Sequence, residues 1–130
     1  MTDSPLDGRF RWMTVAPEDL ARTMLRRASA QIEAAERDRA DTVTAVTREL
    51  RRLRQQLGFR RAWLIGSLAW GGFGVRSDID VVIEGASEQD LMTVADAVGS
   101  ATGRVVDALA FESLPEDFAA RVLGEGRRVA

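Results

Sequence analysis

The chain has 130 residues and is 45% hydrophobic, which is enough for one ordinary core but short for two domains. Its 18 basic residues nearly balance 20 acidic residues, so the net charge of −2 disfavours a globally basic nucleic-acid binder. Cysteine, histidine and lysine are absent, which excludes disulfides, Ser-His-Asp catalysis, His- or Cys-bound metals and Schiff bases. An enzyme of this composition must use carboxylates, and carboxylates suit hard cations such as Mg²⁺ or Mn²⁺.

The sequence also carries a prediction about the compartment. No uninterrupted apolar run is long enough to cross a bilayer, and no apolar stretch follows the charged N-terminus. Chains without cysteine are compatible with a reducing compartment. We therefore expect a cytoplasmic protein with no membrane contact.

The N-terminal part predicts an irregular leader followed by a helical extension. Residues 1–16 contain Pro and Gly but few periodic apolar residues. Pro17 suits a first helical position, and Gly58 suits the position after a helix. Apolar periodicity lapses at residues 37–41, where either Asp could cap a new helix, so we predict two helices within residues 17–57. The apolar stripe of the second helix, which we expect to pack inside the molecule, consists of Val43, Val46, Leu50, Leu53 and Leu57.

From residue 58 onward, short apolar runs alternate with helical patterns and predict an α/β core. The predicted strands are Ala62–Ile65, Ile79–Ile83 and Arg104–Ala110, and the predicted helices are 87–102 and 115–124. The sequence thus predicts one domain with a small mixed sheet backed by helices. Its parts are the leader 1–16, the helical extension 17–57 and the core 58–130.

Three aspartates are the candidate catalytic and metal-binding residues. Asp78 and Asp80 lie two apart on a predicted strand, so both carboxylates project from the same face and can share a metal cluster. Asp107 lies in an otherwise apolar strand, where an unpaired buried charge would be unfavourable. We expect a bound metal to account for the burial of Asp107.

A glycine and a serine follow the first predicted strand, where a helix could begin. Gly66 and Ser67 would present backbone N–H groups and a hydroxyl to an anion such as a triphosphate, and Gly66 would let the phosphate approach the backbone. Arg76 lies just before the aspartates and would add positive charge for a nucleotide. Trp70 could stack on a base, but packing against the protein is the favoured interpretation.

The order of these features resembles the nucleotidyltransferase core of the DNA polymerase β superfamily over residues 62–123. The features are an apolar strand, Gly-Ser, a ten-residue spacer, Asp-hydrophobic-Asp, a helix and a strand with one Asp. The chain is similar to the minimal nucleotidyltransferases that act as antitoxins in HEPN/MNT pairs. The resemblance implies a polymerase-β-like fold in which Gly66 and Ser67 bind the triphosphate. The carboxylates that it assigns to two Mg²⁺ ions are Asp78, Asp80 and Asp107, and Asp107 would also bind the acceptor hydroxyl.

The same resemblance implies a function. We expect transfer of a nucleoside monophosphate, AMP from ATP, to a hydroxyl of a HEPN-type toxin, with Mg²⁺ or Mn²⁺ as cofactor and the chain acting as antitoxin. Two alternatives stay open: an inactive module of the same fold that neutralises its partner by binding, and an antibiotic nucleotidyltransferase. The second is less favoured because those enzymes carry additional helical substrate-binding structure. We expect a protein partner rather than a nucleic acid, and both homo- and hetero-oligomers stay open.

Overall fold

The computed structural model describes residues 16–130. The predicted leader, residues 1–16, therefore lies outside the described residues except for Ala16. Spatial contacts divide the chain into a unit that ends at Ala34 and a unit from Ala35 to Ala130. None of the helices in the described part is both long and apolar enough to cross a membrane.

The secondary structure is a mixture of helices and short strands. Helix α1 (Pro17–Leu57) comes first, and its first turn carries two acidic residues, where the helix dipole favours negative charge. The elements that follow are β1 (Arg61–Ile65), α2 (Gly66–Trp70), β2 (Ile79–Glu84), α3 (Glu88–Thr102), β3 (Val106–Ala110), a 3₁₀ turn (Phe111–Ser113), α4 (Glu116–Glu125) and β4 (Arg127–Arg128). The predicted α/β class is confirmed.

The prediction of two N-terminal helices is wrong, because α1 is a single helix. The side chains in the gap of the apolar pattern have polar partners in the tertiary structure. Nε of Arg39 donates to the carbonyl oxygen of Leu68 at 3.1 Å, and Asp38 forms an ion pair with Arg104 at 2.7 Å. Charged contacts therefore replace apolar packing at this turn, and the helix continues through it.

The apolar side chains of α1 differ in solvent exposure between the two units. In the first unit, large apolar side chains are exposed to solvent; these are Leu20, Met24, Leu25 and Ile32. In the second unit the predicted stripe is buried in the core, and its fully or almost fully buried members are Val43, Val46, Leu50 and Leu53. The interpretation of the stripe as internal core is confirmed.

The sheet has four strands in the order β3-β2-β1-β4. Strand β1 pairs antiparallel with β2 and with β4. Strands β2 and β3 pair in parallel, and the crossover helix α3 connects them along the chain. The small mixed sheet is therefore as predicted. Strand β4 was not predicted because its two residues, Arg127 and Arg128, contain no apolar run, and only pairing with β1 makes them a strand.

Alternating residues of β2 bury themselves on opposite faces of the sheet, as the period of a strand requires. Val81 and Ile83 join the larger core cluster, which contains the buried stripe of α1 and residues of α3. Val82 joins a smaller cluster with Trp63 and Val122 on the other face. Since Asp80 has the same parity as Val82, it lies on the face opposite the α1 stripe.

Helix α3 is held at both ends by local hydrogen bonds. The hydroxyl of Ser87 accepts from the backbone N–H of Asp90, and the Asp90 carboxylate accepts from the backbone N–H of Ser87, which forms the predicted capping box. The helix ends at Gly103, whose left-handed conformation turns the chain into β3. These two ends set where β3 begins beside β2.

We expect Leu50→Ala to lower the free energy of unfolding by about 2–5 kcal/mol, because Leu50 is fully buried and its removal leaves a cavity. Leu25→Ala is the matched control, since Leu25 lies on the same helix but is 67% exposed, and its effect should stay within about 0.5 kcal/mol. Urea unfolding followed by circular dichroism measures both. Equal effects would contradict the placement of the core.

Candidate active site

Strand pairing brings the ends of three strands together in one row. Ile65, the last residue of β1, lies opposite Asp80 in β2, and Asp80 lies opposite Asp107 in β3. Adjacent strands are about 4.8 Å apart, so residues paired in this way are direct neighbours. Gly66 and Ser67 follow Ile65 directly, so they begin at the same end of the strands as Asp80 and Asp107, and Asp78 lies two residues before Asp80.

The electrostatics of Asp80 reflect burial and two neighbouring carboxylates. Burial raises the pKa of Asp80 above its usual range, and the negative charges of Asp107 and Asp78 raise it further. Asp78 lies one residue before β2 rather than within the strand, and the fully buried Ile79 separates it from Asp80. Asp78 is exposed and Asp80 is half-buried, and the same-sided placement of the two carboxylates stays a prediction.

The expectation that Asp107 is buried is wrong. Strand β3 forms one edge of the sheet, and Asp107 lies on its exposed side with Leu109, while Ala108 packs towards the larger core cluster. On β3 this face is open to solvent at both residues. The involvement of Asp107 therefore depends on its register opposite Asp80 rather than on the penalty of a buried charge.

The donor chemistry of this group fits a hard cation, because it consists only of carboxylate oxygens. A bound cation would also relieve the crowding of negative charge around Asp80. Within residues 16–130, however, no three acidic side chains are already grouped closely enough to hold an ion together. Metal binding by Asp78, Asp80 and Asp107 consequently stays a prediction.

Gly66 has a structural role in addition to the predicted one. Its φ of +67° lies in the left-handed region, and a Cβ atom there would lie 2.5 Å from Oδ2 of Asp80. Real Cβ atoms do not approach an oxygen so closely, so a Cβ here would force the Asp80 carboxylate to shift, in addition to the strain of the positive φ. The Asp80 carboxylate thus approaches the Gly66 backbone, and binding of a phosphate by Gly66 stays a prediction. Ser67, half-buried, occupies the first turn of α2.

Helix α2 is anchored by its neighbours on both sides. The Leu68 side chain is fully buried, and its carbonyl accepts the hydrogen bond from Arg39. Nε1 of Trp70 donates to the carbonyl oxygen of Glu125 at 2.9 Å, and the Arg121 guanidinium lies 3.9 Å from the centre of the Trp70 ring. The interpretation of Trp70 as a packing residue is confirmed, and these contacts fix the residues that follow β1.

A small cavity of about 190 Å³ lies beside Asp78, and its lining includes Arg76 and Arg104. Arg76 lines this cavity together with Asp78 and is exposed to solvent. Its contact with a nucleotide stays a prediction. Sequence analysis missed Arg104, which contacts the loop before Asp78. The only signal was an isolated Arg at the start of an apolar strand, which is equally typical of a solvated strand end.

Larger surface concavities than this one lie elsewhere on the described residues. One of about 660 Å³ is lined by residues near the end of α1 and by β4, including Arg51, Arg54 and Arg128, and none of the predicted site residues lines it. Volume alone does not identify a site. The row at Asp80 is the better candidate because it combines a carboxylate with a raised pKa, a glycine packed against that carboxylate and adjoining strand ends.

Comparisons with known proteins show the family and the fold. The family model for the nucleotidyltransferase domain matches residues 45–129. The chain belongs to this nucleotidyltransferase family. The match includes all of the candidate site residues. No curated protein is significantly similar to the chain in sequence.

Solved structures share the nucleotidyltransferase fold. A protein assigned as a minimal nucleotidyltransferase has a TM-score of 0.58 at 25% identity, with 66% of this chain and 91% of the other covered. A toxin-antitoxin structure with AMP-PNP has a TM-score of 0.55 at 20% identity, covering 65% of this chain and 72% of the other. A MntA toxin-antitoxin mutant has the same TM-score and coverage at 18% identity. The polymerase-β-like fold predicted from the sequence is confirmed.

We expect Asp80→Asn to raise the melting temperature of this nucleotidyltransferase at neutral pH in the absence of metal. The raised pKa means that the ionised carboxylate is less favourable in the folded than in the unfolded chain. This penalty is complete above the folded-state pKa and vanishes below the unfolded value of about 3.9. The gain should therefore shrink as the pH falls through that window in differential scanning fluorimetry. A gain that grows with acidity would contradict the assignment.

We expect Gly66→Ala to destabilise the fold more than Gly58→Ala. Both glycines have positive φ, at +67° and +80°, so both variants bear left-handed strain of about 1–2 kcal/mol. A Cβ at Gly58 meets nothing within 4 Å, whereas one at Gly66 meets the Asp80 carboxylate. Chemical denaturation measures the difference. Similar losses in the two variants would contradict the close packing of Gly66 on Asp80.

Proposed function

We propose that this chain transfers AMP from ATP to a hydroxyl of a partner protein and thereby acts as an antitoxin. The observation that carries the proposal is the row from Ile65 through Asp80 to Asp107, with Gly66 and Asp78 at its margin. Within a nucleotidyltransferase family, this row supplies carboxylates and a backbone turn at one strand edge. No other part of the described chain combines these features.

Each residue has a role in the proposed reaction. Gly66 and Ser67 bind the triphosphate at the start of α2, and Arg76 adds positive charge from the loop. Asp78 and Asp80 hold Mg²⁺, which when bound neutralises phosphate charge and lowers the pKa of the acceptor hydroxyl. Asp107 is exposed and orients that hydroxyl.

The bond changes of the transfer balance without a further reactant. The acceptor oxygen forms a bond to the α-phosphorus of ATP, and the bond from that phosphorus to the oxygen bridging the β-phosphate breaks. Pyrophosphate leaves with the bonding electron pair. The hydroxyl proton passes to the carboxylate of Asp107 and then to water. The carboxylates remain chemically unchanged, so the chain can turn over.

A protein acceptor is supported by the openness of this edge. Asp78 and Asp107 are both exposed, so the described residues do not enclose a small acceptor molecule. A folded partner would exclude water and orient its own hydroxyl over the aspartates. The chain contains no tyrosine, so a tyrosine acceptor must come from another protein. A toxin of the HEPN class, which the sequence resemblance implies, fits this requirement, and toxin-antitoxin pairs occur among the structures with the same fold.

We expect the purified chain, given Mg²⁺ and ATP, to add the mass of one or more AMP groups to a HEPN-type protein encoded beside it. Asp78→Ala should abolish this addition because it removes a carboxylate from the proposed metal site. Asp96→Ala is the matched control, since Asp96 is an exposed aspartate on α3 outside the site. Intact-protein mass spectrometry provides the measurement.

The outcome also separates the proposal from its main alternative. If the wild-type chain adds no mass while both it and Asp78→Ala protect cells from the toxin, the chain is a binding module without catalysis. If it modifies an aminoglycoside in the absence of protein, it is an antibiotic nucleotidyltransferase. Either result would overturn the proposed protein acceptor.

A further inference from the structure

Arg104 is a nearly buried cation at the beginning of the chain segment that leads into β3. Its side chain is only 12% exposed, which is unusual for a charged residue. Nη1 donates to the carbonyl oxygens of Gly74, Val75 and Ser77 at 2.9, 3.2 and 3.2 Å. Nη2 donates to Oδ2 of Asp38 at 2.7 Å. One guanidinium thus satisfies three backbone acceptors and one carboxylate.

The three carbonyls belong to the loop that delivers Asp78 to the site. The loop closes on itself, because Ser77 N–H donates to the Gly74 carbonyl at 3.1 Å and the Ser77 hydroxyl accepts from Gly74 N–H at 2.8 Å. The Arg104 guanidinium also lies 4.3 Å from the centre of the Phe73 ring. Arg104 therefore contacts the loop at its beginning, along its turn and at its end.

The residue after Asp78 is held from the same segment. Ile79 N–H donates to the carbonyl oxygen of Val105, the residue that follows Arg104, at 2.9 Å. Asp78 consequently lies between Ser77, bound by the Arg104 side chain, and Ile79, bound by the backbone next to it. The backbone at Asp78 is thus defined by residues 104 and 105 rather than by contacts of its own.

The carboxylate of Asp38 completes this arrangement. A guanidinium bound only by neutral carbonyls would keep an uncompensated charge in a largely dry environment, which is unfavourable. Asp38 supplies the opposite charge from the middle of α1 and is itself 44% exposed. Both terminal nitrogens of Arg104 are occupied by protein groups, so Arg104 is suited to organise the loop rather than to bind a phosphate.

We propose that Arg104, neutralised by Asp38, is a positioning residue that holds the loop of residues 73–78 so that the Asp78 carboxylate stays beside Asp80 and Asp107. Its effect on nucleotide transfer rests on the proposed function, whereas its effect on the loop does not. In this arrangement, loss of Arg104 frees the loop and spreads Asp78 over several positions. Metal affinity and turnover then fall although no residue of the site has changed.

The test compares Arg104→Met with Arg61→Met in the full chain. Arg61 is a matched control because it also pairs with a carboxylate, Glu84, through two hydrogen bonds of 2.8 and 2.9 Å and lies 4.9 Å from an aromatic ring centre, that of Trp63. It contacts neither the loop nor the aspartates. Arg104→Lys keeps the charge without the fork of donors and should be intermediate.

Hydrogen exchange measured by mass spectrometry reports the mobility of the loop backbone without any assay of activity. In Arg104→Met, amides of a peptide spanning residues 73–79 should exchange at least about tenfold faster, whereas Arg61→Met should leave this peptide unchanged. Titration with Mn²⁺ alone should show binding at least about tenfold weaker in Arg104→Met than in the wild type. The Mn²⁺ affinity of Arg104→Lys should lie between those of the wild type and Arg104→Met. Should Arg104→Met fail to fold, Asp38→Asn provides the same comparison in milder form, since it removes the charge but keeps an acceptor.

The outcomes are distinct. Unchanged exchange in the loop, or an equal rise across the whole chain in Arg104→Met and Arg61→Met, would overturn the positioning role. If transfer is observed, both kcat and the KM for ATP should change in Arg104→Met, because the freed loop carries Asp78 and Arg76 alike, whereas Arg61→Met should change neither. If the wild type transfers no nucleotide, the proposed function fails, while the exchange and Mn²⁺ measurements still decide the role of Arg104.

Discussion

The register of β2 against its two neighbours is the constraint on which the site depends. Pairing places Ile65, Asp80 and Asp107 in one row, and a slip by one residue would turn Asp80 towards the larger core cluster and remove Val81 from it. The alternating burial of β2, with different clusters on its two faces, makes such a slip unfavourable. The hydrophobic core therefore determines where the carboxylates meet, although it contains none of them.

Several unfavourable interactions lie together at the strand ends around Asp80, and the surrounding structure offsets them. Asp80 is half-buried beside two negative charges, and it presses against a glycine held at positive φ. A fold without a functional demand would gain stability from a neutral residue at this position. Such local conflict at one place, in a chain whose remaining core is regular, is typical of a functional site.

Charged residues on α1 bind the chain segments next to the site without belonging to it. Asp38 binds Arg104, which holds the loop before Asp78, and Arg39 binds the carbonyl of Leu68 in the helix after β1. One turn of α1 therefore contacts both chain segments that border the aspartates. The same turn interrupts the apolar stripe, since a side chain cannot pack in the core and also form an ion pair at its margin.

The sequence by itself determined the α/β class, the buried stripe of α1, the three principal strands and the membership of Gly66, Asp78 and Asp80 in one motif, because periodicity and short-range spacing are local properties. It failed where a property depends on remote neighbours. Only the tertiary structure showed that α1 is one helix and that Asp107 lies exposed on an edge strand. It alone revealed the contacts of Arg104, which join residues 27 to 66 positions apart. Spacing along the chain does not predict such partners, because they come into contact only when the sheet and helices pack.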